Sequence, residues 1–179
     1  ARHSLRHVAF RDESGDAARF LGQLALTDDD AVHLEEARRF WSEGLGRVSI
    51  STPSPALNIM VNGWLAYQTL ACRIWGRTAL YQSGGAFGFR DQLQDAIALI
   101  PWWPEAAREQ ILRHAAHQFV EGDVLHWWHP PHGRGIRTHF ADDLVWLPYA
   151  AAQYIESTGR TDLLDERAPF VSARRLKPE

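Results

Sequence analysis

Residues 55–75 constrain this chain more than any other stretch. Leu57, Met60, Val61, Trp64, Leu65, Leu70, Ile74 and Trp75 recur at helical spacing and cover most of the circumference. Only Asn58, Asn62, Gln68, Thr69 and Arg73 interrupt them. Pro55 suits a first helical turn, and Gly76 ends the run. A helix that is apolar nearly all round is expected to be buried. It needs neighbours on two sides, and a chain of 179 residues, the size of one domain, must supply them as further helices.

The remaining pattern does supply helices. Thr27-Asp28-Asp29-Asp30 opens one with a capping residue and acids at the positive end of the dipole. Val32, Leu34, Ala37, Phe40 and Trp41 form its stripe, and Gly44 and Gly46 close it. Residues 47–51 read as a strand or an extended linker before Pro53. Further helices are expected over 91–100, stopped by Pro101, and over 104–119, with Ile111, Leu112, Ala115, Ala116 and Phe119 inward. Another is expected over 142–157, kinked at Pro148 and capped by Gly159. The Gly-rich stretch 81–88 cannot be regular helix, and residues 121–138 read as a loop. Phe20 to Leu26 reads as a short strand. The expected class is all-α, a helical-hairpin array or barrel with a site at one end built from loops. Four or five such helices leave apolar surface uncovered. The expectation is therefore a piece of a larger core, marginally stable alone and prone to self-associate.

Composition excludes several classes of function. Nineteen Lys plus Arg against 22 Asp plus Glu give a net charge of -3, without the basic face a nucleic-acid binder shows. No apolar run reaches bilayer length, so no membrane segment is expected. The N-terminus carries no signal pattern. A single cysteine, Cys72, cannot form an internal disulfide, so a reducing, cytoplasmic setting is expected. Eight tryptophans need a large core or a ligand with flat apolar faces, such as a sugar.

Three stretches can carry chemistry. In Tyr81-Gln82-Ser83-Gly84-Gly85-Ala86-Phe87-Gly88-Phe89-Arg90-Asp91-Gln92-Leu93-Gln94-Asp95, the glycines let backbone approach a ligand. Asp91 and Asp95 share a helical face and can hold sugar hydroxyls. Alternatively, Asp91 is a plain helix cap. In the second, Asp123 to His139, the paired indoles Trp127 and Trp128 either stack on a ligand or pack. Arg134 and Arg137 flank Gly135 and can cradle an anion. His126, His129 and His132 lack the Cys or regular helical His pair of a zinc site, so hydrogen-bonded histidines are expected rather than metal. In the third, Asp142 and Asp143 open a helix, one as cap and one facing a cavity, or both as dipole partners. No Gly-x-Ser-x-Gly nucleophile pattern occurs.

Taken in this order, the three stretches resemble family 94 of the glycoside hydrolases, the inverting glycoside phosphorylases. The likeness runs from about Trp41 to Phe170 and is greatest to the phosphorylase-like domain of cyclic β-1,2-glucan synthases and to 1,2-β-oligoglucan phosphorylases. It implies an (α/α)6 barrel preceded by a β-sandwich and a helical linker. On that reading 1–26 is a tail or the end of a sandwich, 27–54 the linker helix and connection, 55–170 the first part of the barrel, and 171–179 an irregular tail. The resemblance makes Asp91 the carboxylate that holds the non-reducing sugar and Arg77 the counterpart of a phosphate-binding arginine. Around them the expected substrate set is Arg90, Asp91, Gln94, Asp95, His126, Trp127, Trp128, Asp142 and Asp143, and Arg134 and Arg137 are expected to bind phosphate beside Arg77. Inorganic phosphate is then the co-substrate, a β-glucan oligosaccharide the partner, and no cofactor or metal is needed. The family's general acid lies in a Gly-Asp-Trp-Asn-Asp stretch that residues 1–179 do not contain. It is expected beyond residue 179, so the chain alone is expected to be inactive. A larger protein of this kind is either a soluble phosphorylase or part of an inner-membrane synthase. The rival readings are a non-catalytic carbohydrate-binding helical domain and, more weakly, an α/α-barrel hydrolase acting with water.

Overall fold

The computed structural model describes residues 28–77 and 84–176. The expected strand at 20–26, the tail before it and residues 81–83 of the Gly-rich stretch lie outside them. Contacts divide the chain into two units, Ala1–Phe40 and Trp41–Glu179. Helix α1, Asp28–Leu45, runs through that boundary. Its first part exposes Val32 and Leu34 and carries an exposed His33–Glu36 pair.

In the second unit residues 55–75 form one helical rod, α2. It alternates α and π turns: Pro55–Ile59, Met60–Trp64, Leu65–Gln68 and Thr69–Trp75. Ser54 caps it, its hydroxyl accepting from the Leu57 amide. The expectation that α2 is buried is corrected. Only Ala66, Leu70 and Ile74 are buried, while Leu57, Ile59, Met60, Trp64, Leu65, Tyr67 and Trp75 are exposed. The buried residues sit four apart, on one helical stripe. That stripe packs with Leu99 and Trp103, against Trp41, Leu45, Trp102 and Ala106, so the described helices cover one side of the rod.

The polar breaks in α2 have a use. Asn62 accepts from the Ile50 amide at 2.7 Å and donates to the Ile50 carbonyl at 3.0 Å. Asn58 does the same for Thr52 at 2.9 and 3.0 Å. Two carboxamides one turn apart thus mimic a neighbouring strand and pin the extended linker, which forms no sheet.

Helices α3 (Phe89–Leu99), α4 (Pro104–Ala115) and α5 (Asp143–Thr158) enclose the main core of Phe89, Leu93, Ala96, Ala107, Ile111, Ala150 and Tyr154. Helix α5 continues through Pro148 and ends at Gly159, whose φ of 71° is left-handed, as a C-cap glycine requires. A 3-10 turn follows at Thr161–Asp165. The reading of 121–138 as a loop is also corrected. Strands β2 (Leu125–His129) and β3 (Arg134–Arg137) form a hairpin, and β1 (Phe87–Gly88) pairs antiparallel with β2. The hairpin needs Gly135, because a Cβ there would stand 2.3 Å from the Trp127 carbonyl oxygen.

His114 is fully buried between the Gln110 carbonyl at 2.7 Å and the Gly88 carbonyl at 3.3 Å. Burial pushes its pKa down to about 4 from 6.5, against the pull of those carbonyls. The unfolded imidazole therefore binds its proton more readily than the folded one. This contribution is intact above pH 6.5 and is lost as pH falls toward 4, at most about 3 kcal/mol. Asp95, raised by burial to about 6, acts in the opposite sense, favouring the fold in acid. The His114 effect is thus expected as a pH-dependent difference between the chain and its His114→Gln variant, measured by urea unfolding from pH 4 to 7.

Gly44 gives a second test. A Cβ there would stand 2.2 Å from the Trp103 indole. Alanine gains up to about 1 kcal/mol in helix propensity, but overpacking costs about 1–3 kcal/mol. Gly44→Ala is expected to lower the thermal midpoint.

Candidate functional site

The N-terminal ends of α3 and α5, the C-terminal end of α4 and the small sheet come together around Gly88. Gly85, with φ of 68°, turns the chain into β1. Gly88 is the N-cap of α3, with no side-chain cap bond. Its amide donates to Gln92 Oε1. Asp91 stands in the first turn of α3, so it is not the helix cap, and that alternative is removed. Its carboxylate lies over Gly88: a Cβ on that glycine would be 2.8 Å from Asp91 Oδ2. Glycine therefore makes room for this carboxylate, which stays partly exposed.

Arg90 stands 3.9 Å from Asp91 but donates to Asp142 Oδ2 at 2.9 Å. The pair joins the start of α3 to the start of α5. Arg90 pulls the Asp142 carboxyl below the usual carboxylate range, against its desolvation. Asp95 faces α2 and accepts from Arg73 Nε at 2.9 Å, both side chains being largely buried. Burial raises its pKa, Arg73 lowers it, and Asp91 raises it again. Asp95 is thus taken up by a helix-to-helix ion pair, which corrects its reading as a free sugar-holding carboxylate. Gln94 is exposed on α3.

On the hairpin the two indoles part, as strand neighbours must. Trp128 is 2% exposed, stacked on Phe87 and on His117 with centroids 5.3 and 3.9 Å away. It belongs to the core, which corrects its assignment to the substrate. Trp127 is half-buried beside His129. His126 Nδ1 lies 2.8 Å from Asp143 Oδ2. The Asp143 side chain is 3% exposed, too enclosed to touch a sugar, which corrects that assignment too. Burial pushes its carboxyl up, and His126 draws it back.

The three arginines expected to hold phosphate have separate fates. Arg137, 8% exposed, forks onto Asp123 and also donates to Glu121. It stacks over Phe119 at 3.8 Å. Its charge is matched by two carboxylates, so it is a clamp, which corrects the phosphate reading. Arg77, with φ of 50°, donates to the Gly85 and Trp75 carbonyls and lies over Phe87. With Arg113 and Gln110 it lines a cavity of about 260 Å³ that neither Asp91 nor His126 reaches. Arg134 is exposed on β3. Among the described residues no group of three or more His, Cys, Asp or Glu is placed to hold a metal, and no helix is long and apolar enough to cross a membrane.

Sequence reasoning gave no role to Gln92, Asp123 or Glu121. Gln92 carried one signal, its place four residues after a glycine at a helix start. The two acids precede the hairpin and pair across it, which no local pattern shows.

Residues 40–175 match the family described as the glycosyl hydrolase 94 superfamily, catalytic domain. The chain is 47% identical over 165 residues to cyclic beta-(1,2)-glucan synthase NdvB of Rhizobium meliloti (strain 1021), covering 92% of this chain and 6% of that protein. It is 31% identical to solabiose phosphorylase of Paenibacillus borealis over 80% of this chain and 17% of the relative. It is 25% identical to N,N'-diacetylchitobiose phosphorylase of Vibrio proteolyticus over 92% and 26%. The chain thus spans about a quarter or less of the length of these relatives.

Two substitutions separate the roles above. Arg137→Gln is expected to cost about 1–3 kcal/mol in unfolding experiments by leaving partly buried acids unmatched, with no loss of phosphate affinity by calorimetry. In Gly88→Ala the new Cβ presses first on the flexible end of the Asp91 side chain, so circular dichroism should show a retained fold.

Proposed function

The chain belongs to the glycosyl hydrolase 94 superfamily, and we propose that it forms the sugar-holding part of a site that cleaves β-linked glucans by inverting phosphorolysis. The observation that carries this is the Asp91 carboxylate, seated over Gly88 and partly open to solvent. An ionised carboxylate accepts hydrogen bonds from two adjacent sugar hydroxyls. It fixes the ring while phosphate attacks the anomeric carbon from the opposite face. The glycosidic C–O bond breaks, a carboxylic acid protonates the leaving oxygen, and the sugar departs as its 1-phosphate. Phosphate replaces the water and general base of an inverting hydrolase, so one protein acid suffices. Arg77 and Arg134 are the cations proposed for phosphate; no cofactor is required.

The relative named for cyclic beta-(1,2)-glucan supports β-1,2 as the linkage. Residues 1–179 hold no Gly-Asp-Trp-Asn-Asp stretch, so the general acid is proposed to come from elsewhere in the working enzyme. The single cysteine supports a cytoplasmic setting. The exposed apolar side of α2 is proposed to drive self-association, which sedimentation should show as a mass that rises with concentration.

The purified chain is expected to release no glucose 1-phosphate from β-1,2-glucan and phosphate, since losing a general acid costs about 10²–10⁴-fold. In an enzyme carrying these residues, Asp91→Asn is expected to lower kcat/KM by on the order of 10²-fold, about 3 kcal/mol. Near-normal kinetics in a folded variant would remove Asp91 from the site.

A further inference from the structure

Strands β2 and β3 pair Leu125 with Arg137 and Trp127 with Ile136, so the register shifts and His126 has no residue opposite it. Such a bulge re-aims the side chain that it carries. Here it turns the ring toward the first turn of α5, where Asp143 waits 2.8 Å from Nδ1. A carboxylate accepts and does not donate, so Nδ1 carries the proton, and the neutral ring keeps its lone pair on Nε2. Among the described residues Nε2 has no hydrogen-bond partner. The ring is 35% exposed, and Phe140 packs against it at 4.7 Å between centroids.

The neighbours of this pair place it. Asp143 follows Asp142, Asp142 holds Arg90, and Arg90 adjoins Asp91. The bulge thus sets a bare acceptor at the end of the fold where Asp91 stands. We propose that His126 recognises a sugar hydroxyl through Nε2, and that Asp143 is the positioning residue that holds the ring in the tautomer this requires. A hydroxyl fits because it can donate to Nε2 and brings no charge; a phosphate, although its P–OH can also donate, would bring its negative charge to a ring already held by the Asp143 carboxylate. The inference rests on the sugar-site reading above, and it gives Asp143 a reason to be an acid where a strap between β2 and α5 needs none.

The test uses the 15N-labelled chain near neutral pH, with sophorose, the β-1,2-linked glucose disaccharide, and inorganic phosphate as separate probes. Two-bond 1H–15N spectra should show His126 with a protonated Nδ1 and a bare Nε2. Sophorose should move the Nε2 signal, and phosphate should not. Asp143→Asn should mix the tautomers and weaken sophorose binding about tenfold, the worth of one oriented hydrogen bond. His126→Gln should lose as much, and the double variant no more than either single. If Asp143→Asn does not fold, His126→Gln and the wild-type spectra decide alone. A protonated Nε2, a response to phosphate in place of sugar, or additive losses in the double variant overturns the proposal. So does an unmoved Nε2 while signals around Asp91 respond, which leaves the sugar reading standing. Silence of every signal toward sophorose overturns both.

Discussion

Gly88 has its amide held by Gln92 and its carbonyl faced by His114, and both side chains are buried. A buried peptide group left unpaired costs about 1–3 kcal/mol, so these contacts decide where the chain leaves β1 and enters α3. Gln92 also donates to the Arg73 carbonyl at 3.4 Å, tying the same point to α2. His114 ties it to α4, and the Gly88–Trp127 pairing ties it to the hairpin. Four elements therefore meet at one glycine, and Asp91 inherits its position from them.

Around that point most charges are matched inside the fold. Arg73 answers Asp95, Arg90 answers Asp142, and Arg137 answers Asp123 and Glu121. The partly buried ones, Arg73–Asp95 and Arg137 with its two acids, stabilise less than they cost to break, because removing one partner strands the other. They orient elements more than they stabilise them: each joins segments 14 or more residues apart. Asp91 has only the longer 3.9 Å contact to Arg90 and stays partly exposed.

The long helices were legible because their signals are local. Pro55 starts α2, Pro101 stops α3, Gly159 closes α5, and the apolar stripe of α4 repeats at 3.6 residues. The hairpin was not legible. Adjacent tryptophans, two prolines and three histidines give no alternation, and the strands are held by pairing with β1, nearly 40 residues earlier. The place of Asp91 just after a Gly-rich turn was legible, but the bonding of its neighbour was not: Arg90, adjacent in sequence, bonds across to Asp142.

By itself the sequence determined which segments are helical, where they stop, the family to which the chain belongs and the types of side chain gathered in three stretches. Periodicity, caps and motifs act over a few residues, so they survive without knowledge of the fold. Only the tertiary structure decided that Trp128 packs while Trp127 stays half-open, that Arg137 clamps acids, that α2 buries a single stripe, and that a bulge turns His126 onto Asp143. Each of these depends on which distant backbone lies opposite, and an aromatic ring or a charge is equally at home in a core, an ion pair or a site until that neighbour is known.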